Sequence, residues 1–207
     1  AKDKGISVTE LVTVDKTRPS IELNLDKVGA ELLPGSEKNQ EVINKVLDAG
    51  RLMLSADSVG AAQIMLDKAV AYSLERKQFG RVIGSFQAVK HMCAEMAAEL
   101  EPCHSMIWHA AHCYDHDPSQ ARLMACHTKA HVSEVGKQIS KTSTEVHGGM
   151  GFTDELGLHY WFKRIGLNRQ LLGSPELVRE EAARIQNFDQ SPAEGQVNKE
   201  VGNPLLV

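Results

Sequence analysis

The spacing of apolar residues along this chain changes near residue 36. Before that point ISVTELVTVD and SIELNLDKV alternate apolar and polar positions with β-branched enrichment, and the turn signal KTRP separates them. That pattern predicts two or three strands. LLPGSE then breaks the alternation. So small a meander leaves one face and both edges unpaired, so it reads as the rim of a larger sheet.

From Glu37 the steps become three and four residues. Val42, Ile43, Val46, Leu47, Met53, Leu54, Ala61, Ile64 and Met65 predict one helix over about 38–76, closed by the two glycines of FGRVIGS. Phe86, Val89, Cys93, Met96, Leu100, Ile107 and Ala111 predict a second helix to Tyr114, with a kink at Pro102. DHDPSQ is a turn. Ala121, Met124, Thr128, Val132, Val135, Ile139 and Val146 predict a third helix over about 119–146, ending at HGGMG, where glycine takes a C-cap conformation. Leu156, Leu158, Trp161, Phe162 and Ile165 mark a shorter one over 154–166. Ser174-Pro175-Glu176 then places an N-cap, a first-turn proline and a first-turn acid before LVREEAARIQ. The chain is therefore expected to be mainly α, an antiparallel up-down four-helix bundle with a short N-terminal β-strand segment. The expected division is a β remnant over 1–35, the bundle over 36–190 and a polar tail over 191–207.

Composition narrows the function. With 23 basic and 27 acidic residues among 207, the net charge is −4, which argues against nucleic-acid binding. No stretch approaches the apolar length of a membrane span. AKDKGISVTE lacks an apolar core behind a basic flank, so Cys93, Cys103, Cys113 and Cys126 are expected to be free thiols in a reducing compartment. A bacterial cytoplasm or a mitochondrial matrix fits.

His109, His112, Cys113 and His116 share one face of the second helix, with His127 and His131 as the sole complement. Four donors from one helix do not surround a metal tetrahedrally, so this cluster reads as a polar helix end and no metal is expected. Phe86, Met92, Met96, Met106 and Trp108 read as core packing. The loop His147-Gly148-Gly149-Met150-Gly151-Phe152 has two readings. It is a C-cap with a tight turn, or a nest of backbone N–H groups for an anion. Arg76, in a second glycine-bounded turn, favours the anion, because a guanidinium and a glycine nest complement a diphosphate.

These residues carry a resemblance. Arg76-Lys77-Gln78-Phe79-Gly80 with Ile83-Gly84-Ser85-Phe86-Gln87 resembles the R-x-x-F-G…I-x-x-F-Q segment of acyl-CoA dehydrogenases. Glu145-Val146-His147-Gly148-Gly149-Met150-Gly151-Phe152 resembles their Q-x-x-G-G-x-G-F loop, and Phe162 to Ile185 their Y-R-D-A…Y-E-G-T region. The similarity spans about residues 1–188. It implies a flavoenzyme with a helical N-terminal domain, a middle β-domain and a C-terminal four-helix bundle, of which this chain matches the last β-strands and the whole bundle. It also implies FAD as cofactor, an acyl-CoA substrate, an electron-transfer flavoprotein or similar acceptor, and a tetramer or dimer of dimers.

By the resemblance, Arg76, Gln78, Phe79 and the Gly148-Gly149 loop touch FAD across a subunit interface. Ser174 and Glu176 sit near the flavin from the other side, and Asp48 and Arg51 line the acyl-CoA side. Glu145 and Glu176 stand where the family has glutamine, and each adds negative charge beside a diphosphate. The family's chemistry needs a carboxylate that takes the α-proton of the thioester while a hydride leaves the β-carbon. The Y-E-G-T run is here Leu171-Leu172-Gly173-Ser174, which puts Leu172 at the base. Branched-chain members carry the base on the long helix, where this chain has Gly50. Three readings follow: a dehydrogenase part whose base comes from elsewhere, a non-catalytic subunit of a heteromeric acyl-CoA dehydrogenase, or a member with altered chemistry of the desulfinase type. In each, the isolated chain is expected to be inactive.

Overall fold

The computed structural model describes residues 5–35 and 39–188; the polar tail expected beyond residue 190 lies outside them. β1 (Ile6–Leu11) and β2 (Ser20–Leu25) form an antiparallel hairpin in the register Ile6 to Leu25. Both faces of this hairpin are exposed, including Val8, Ile21, Leu23 and Leu25. Two strands with bare apolar side chains are what the alternating pattern predicts for a sheet rim.

Three long helices follow. They are α1 (Asn39–Glu75), α2 (Gln87–His116) and α3 (Pro118–His147). The fourth position is filled by two shorter helices, α4 (Leu158–Gln170) and α5 (Pro175–Ile185). α1 gives way to a small hairpin, β3 (Lys77–Gln78) with β4 (Arg81–Val82), and a 3-10 turn over Ile83–Ser85. The two glycines of this stretch predict an end to α1; the hairpin between them is a finer feature that periodicity does not resolve.

α3 is the hub, packing against α1, α2, α4 and α5. Its small residues allow this. Gly136 lies so close to α4 that a Cβ there would sit 3.2 Å from Ile165. The hydroxyl of Ser143 donates to the Met65 carbonyl of α1 at 2.8 Å. The core joins Val59, Ala62, Met65 and Ala69 of α1 to Met96, Leu100 and Cys103 of α2 and to Val132, Ile139, Leu158 and Ile165. Asp117 opens α3 by accepting from the Ser119 N–H at 3.2 Å, with Pro118 in the first turn.

Four expectations are corrected. Val42, Ile43, Val46, Met53 and Ile64 of α1 are exposed rather than inward. Helical spacing identifies an apolar stripe, but another element must cover it, and the 31–35 segment and Tyr114, which border the first turns of α1, leave Val42, Ile43 and Val46 exposed. Trp108 is 78% exposed and so is not core. The helix expected from residue 154 starts at Leu158, because a 3-10 turn over Gly148–Phe152 and a left-handed Gly157 (φ 62°) use up the intervening chain. Ser174 occupies the N-cap position of α5, yet its side chain makes no capping bond to the backbone.

Candidate functional site

The predicted site residues fall into two clusters at separate heights along α1. α1 and α3 point the same way and end together, since the Tyr72 and His147 rings lie 4.7 Å apart. This pairing brings the β3–β4 hairpin and the glycine loop to one end of the bundle. There Arg76, Gln78 and Phe79 are all exposed, Phe79 at 92% and with φ 53°, a conformation rare for a bulky side chain. Gly148 (φ 58°) and Gly149 leave open space where a Cβ would sit, while the Gly148 N–H donates to the Glu145 carbonyl. Gly151 is different. A Cβ there would meet the Thr144 carbonyl oxygen at 2.8 Å, so this glycine serves close packing rather than a ligand. Glu145 is exposed on the last turn of α3.

The second cluster surrounds Gly50. It lies 22 residues before Tyr72, about 33 Å along the helix axis. The chain between α4 and α5 turns back onto α1 here, with Leu172 at φ 57° and Gly173 at φ 109°. A Cβ on Gly50 would sit 2.4 Å from Leu172 Cδ1. The two positions that the resemblance assigns to a base therefore share one small volume, and the leucine side chain fills it. Gly50 has no Cβ, and that absence makes the room.

Arg51 holds this turn in place. Its Nε donates to the Leu172 carbonyl at 3.0 Å and its Nη2 to Glu181 Oε2 at 2.8 Å. Its Nη1 reaches Asp48 Oδ1 and Cys126 Sγ, each at 3.3 Å. Arg122 Nε donates to the other oxygen of Glu181 at 2.6 Å. Burial raises the Asp48 carboxyl, against the lowering pull of Arg122 and Arg51. Burial also acts to raise Glu181, but the bonds and charges of Arg51 and Arg122 outweigh it and the net shift is downward. Burial pushes the Cys126 thiol up to about 11, so it stays protonated and unreactive at neutral pH.

Asp48 borders an open cavity of about 550 Å³ with Glu41, Lys45, Tyr114, Asp115 and Arg122. Arg51 does not. At 7% side-chain exposure it is a buried anchor for the turn rather than a free ligand group. Ser174 and Glu176 follow the turn, and Glu176 is exposed. The Ser174 hydroxyl, a backbone N–H and Arg169 hold the Glu176 carboxyl down to about 2, and Arg169 Nη2 meets it at 2.7 Å.

The chain's residues 40–186 match the family model for the C-terminal domain of acyl-CoA dehydrogenases. The chain belongs to the acyl-CoA dehydrogenase family. Among its relatives, the probable acyl-CoA dehydrogenase YngJ of Bacillus subtilis is 34% identical over 87% of this chain and 45% of that protein. Subunit CarC of the caffeyl-CoA reductase–Etf complex of Acetobacterium woodii is 40% identical over 54% of this chain and 29% of that protein. In structure the chain resembles a glutaryl-coenzyme A dehydrogenase in complex with glutaryl-CoA, with a TM-score of 0.83 at 26% identity over 91% of this chain and 49% of that one. The chain thus spans about half the length, or less, of these relatives.

Several residues of this site escape motif reading. Glu181 and Arg122 complete the Arg51 network, and Lys129 and Asn168 lie buried beneath the turn. Lys129 carries a readable signal. It sits three and seven residues before Val132 and Gly136 on the inward face of α3, where a lysine is out of place. The His109–His116 face brings two rings into a stack at 4.6 Å and Cys113 within 3.7 Å of His109. Among the described residues, no group of three metal-binding side chains converges.

Proposed function

We propose that this chain is the flavin-facing helical part of an acyl-CoA dehydrogenase-type flavoprotein that holds cofactor and thioester but does not supply the α-proton base. One observation carries the reading: Leu172 packs into the space beside Gly50, so both family positions for the base are occupied without a carboxylate. The neighbouring carboxylates, Asp48 and Glu181, are both engaged by Arg51.

The residues suit FAD in kind. Arg76 offers donors to a diphosphate, Gly148 and Gly149 leave room for its close approach, and Phe79 offers an exposed ring for stacking. When bound, FAD supplies a hydride acceptor at its N5 atom. The chain's own contributions are to orient and to exclude water. The 171–174 turn would present an apolar side chain where a base otherwise stands. Because about 33 Å of α1 separates the two clusters, they would serve different flavin sites, each completed by a neighbouring subunit. Residues 1–35 would be the end of a β-domain and residues 36–190 the bundle. An acyl-CoA ligand, an electron-transfer flavoprotein as acceptor and a cytoplasmic or matrix location belong to the same proposal.

A second reading has specific support. A chain without its base, resembling a subunit of a named complex, fits a non-catalytic partner in a heteromeric dehydrogenase. An electron-acceptor dye assay of the chain with FAD and a panel of saturated acyl-CoAs tests the main reading, with turnover expected at the no-enzyme level. Turnover clearly above that level overturns it. Co-purification of a second polypeptide that bears the missing base supports the partner role; a lone homo-oligomer counts against it.

A further inference from the structure

Asn168, near the end of α4, has no exposed surface, and three parts of the molecule meet on it. Its side-chain oxygen accepts from Arg18 Nη1 of the β1–β2 connection at 2.8 Å. Its amide donates to Asp57 Oδ2 at 2.6 Å and Ser58 Oγ at 3.2 Å, both on α1. Its backbone carbonyl accepts a close hydrogen bond from Lys129 Nζ of α3. Lys129 is 1% exposed, and its other acceptors are the Arg169 carbonyl at 3.4 Å and Ser133 Oγ at 3.5 Å.

Three N–H donors thus meet three acceptors, and none of the three is a carboxylate. The ammonium is balanced by the unpaired carbonyls at the C-terminal end of α4. The charged groups facing it are Arg51 from α1 and Arg169 from α4, each already paired, with Asp57 of α1 reached through Asn168. Burial, and then these two guanidinium groups, lower the Lys129 pKa to about 8. A methionine would fill this volume without the desolvation cost. A buried cation held at that cost, on carbonyls 168 and 169, stands directly before the turn whose carbonyl 172 is held by Arg51.

We propose that Lys129 is a positioning residue: through the carbonyls of Asn168 and Arg169 it sets where α4 ends, and so how the 171–174 turn presents side chain 172 to Gly50. What that turn faces depends on the function proposed above; the positioning itself does not.

The test is amide hydrogen exchange by NMR on the full chain, comparing wild type with Lys129→Met, which keeps the apolar stem and removes the donors. Exchange at Gln170 and Leu171 should quicken by about tenfold or more, as loss of a local stabilising contact produces. The carbonyl resonances of Asn168 and Arg169 should move, exchange in α2 should not change, and the melting temperature should hold or rise. A lysine with a merely structural role gives another result: exchange that changes in step everywhere, or no change at the end of α4. Either overturns the proposal. Should Lys129→Met fail to fold, the wild-type Nζ resonance decides, since coupling across hydrogen bonds to carbonyls 168 and 169 supports positioning and its absence refutes it. No readout involves flavin, so a failed dye assay and a failed exchange experiment remain separate results.

Discussion

Leu172 and Gly50 are a pair, and substitutions at either should be read together. Glycine inside a helix costs about 1 kcal/mol against alanine, so Gly50→Ala should stabilise α1 if its methyl had space. With Leu172 as placed it does not, because Leu172 Cδ1 would sit 2.4 Å away and this exposed leucine would have to turn aside. Thermal or urea unfolding of the four-member cycle should show Gly50→Ala neutral or destabilising with Leu172 present, and stabilising by about 1 kcal/mol in the Leu172→Ala background. Equal effects in both backgrounds would mean the two side chains do not share a volume. Lys129 makes a prediction in pH. Its folded pKa of about 8 is below the ordinary 10.5, so the unfolded chain binds more protons between those values. Stability should therefore rise as pH rises from about 8 to about 10.5 and change little through this group below 8. Lys129→Met should flatten that rise in denaturation curves recorded across the range.

The elements were largely legible because each long helix has its own period and punctuation. Asp117-Pro118 opens α3, a glycine with positive φ closes it, and Pro175-Glu176 opens α5 with a first-turn proline and acid, although Ser174 makes no capping bond. The 3-10 turns over Ile83–Ser85 and Gly148–Phe152 were less legible, since Gly84 packs against Ser73 and Gly151 against Thr144, contacts that spacing does not show. Pro102 stands at the position where the sequence places a kink. It lies within α2, exposed, and the helix runs on to His116. Pro102→Ala restores a backbone donor and removes a ring clash, so it should stabilise the chain by about 1–3 kcal/mol in chemical denaturation. A loss of stability would show that α2 needs its proline. Asp57 ties the β1–β2 connection to the bundle, because Arg18, Arg164 and Asn168 all donate to it. Asp57→Ala takes one acceptor from each of these partly buried donors, which keep Asn168, Thr17 and Ser58 as other partners, and should cost about 1–3 kcal/mol, measured in the same way.

Across the whole molecule, the family motifs and the spacing of Gly50 and Tyr72 along one helix were legible, but which motifs meet in one cluster was not. Arg76 and Gly148 are 72 residues apart in sequence and share one end of the bundle, while Gly50 and Tyr72 share one helix and stand about 33 Å apart. Only the up-down order of the helices reveals which residues belong together. The exposed apolar residues tell the same story. Val42, Ile43 and Val46 on α1, Phe79 on the hairpin and Val8 and Leu23 on the strands form no part of the core of this chain. Bare surface of this kind favours association, so light scattering should find the chain larger than a monomer; a purely monomeric solution would contradict that. On the proposed function, chemistry stops for want of a carboxylate at one place. The most direct measurement is dye-coupled turnover of a saturated acyl-CoA by the complete flavoprotein built on this chain, wild type beside Leu172→Glu. A wild type indistinguishable from the blank and a variant with measurable dehydrogenation are expected; turnover by the wild type itself would overturn the proposed function.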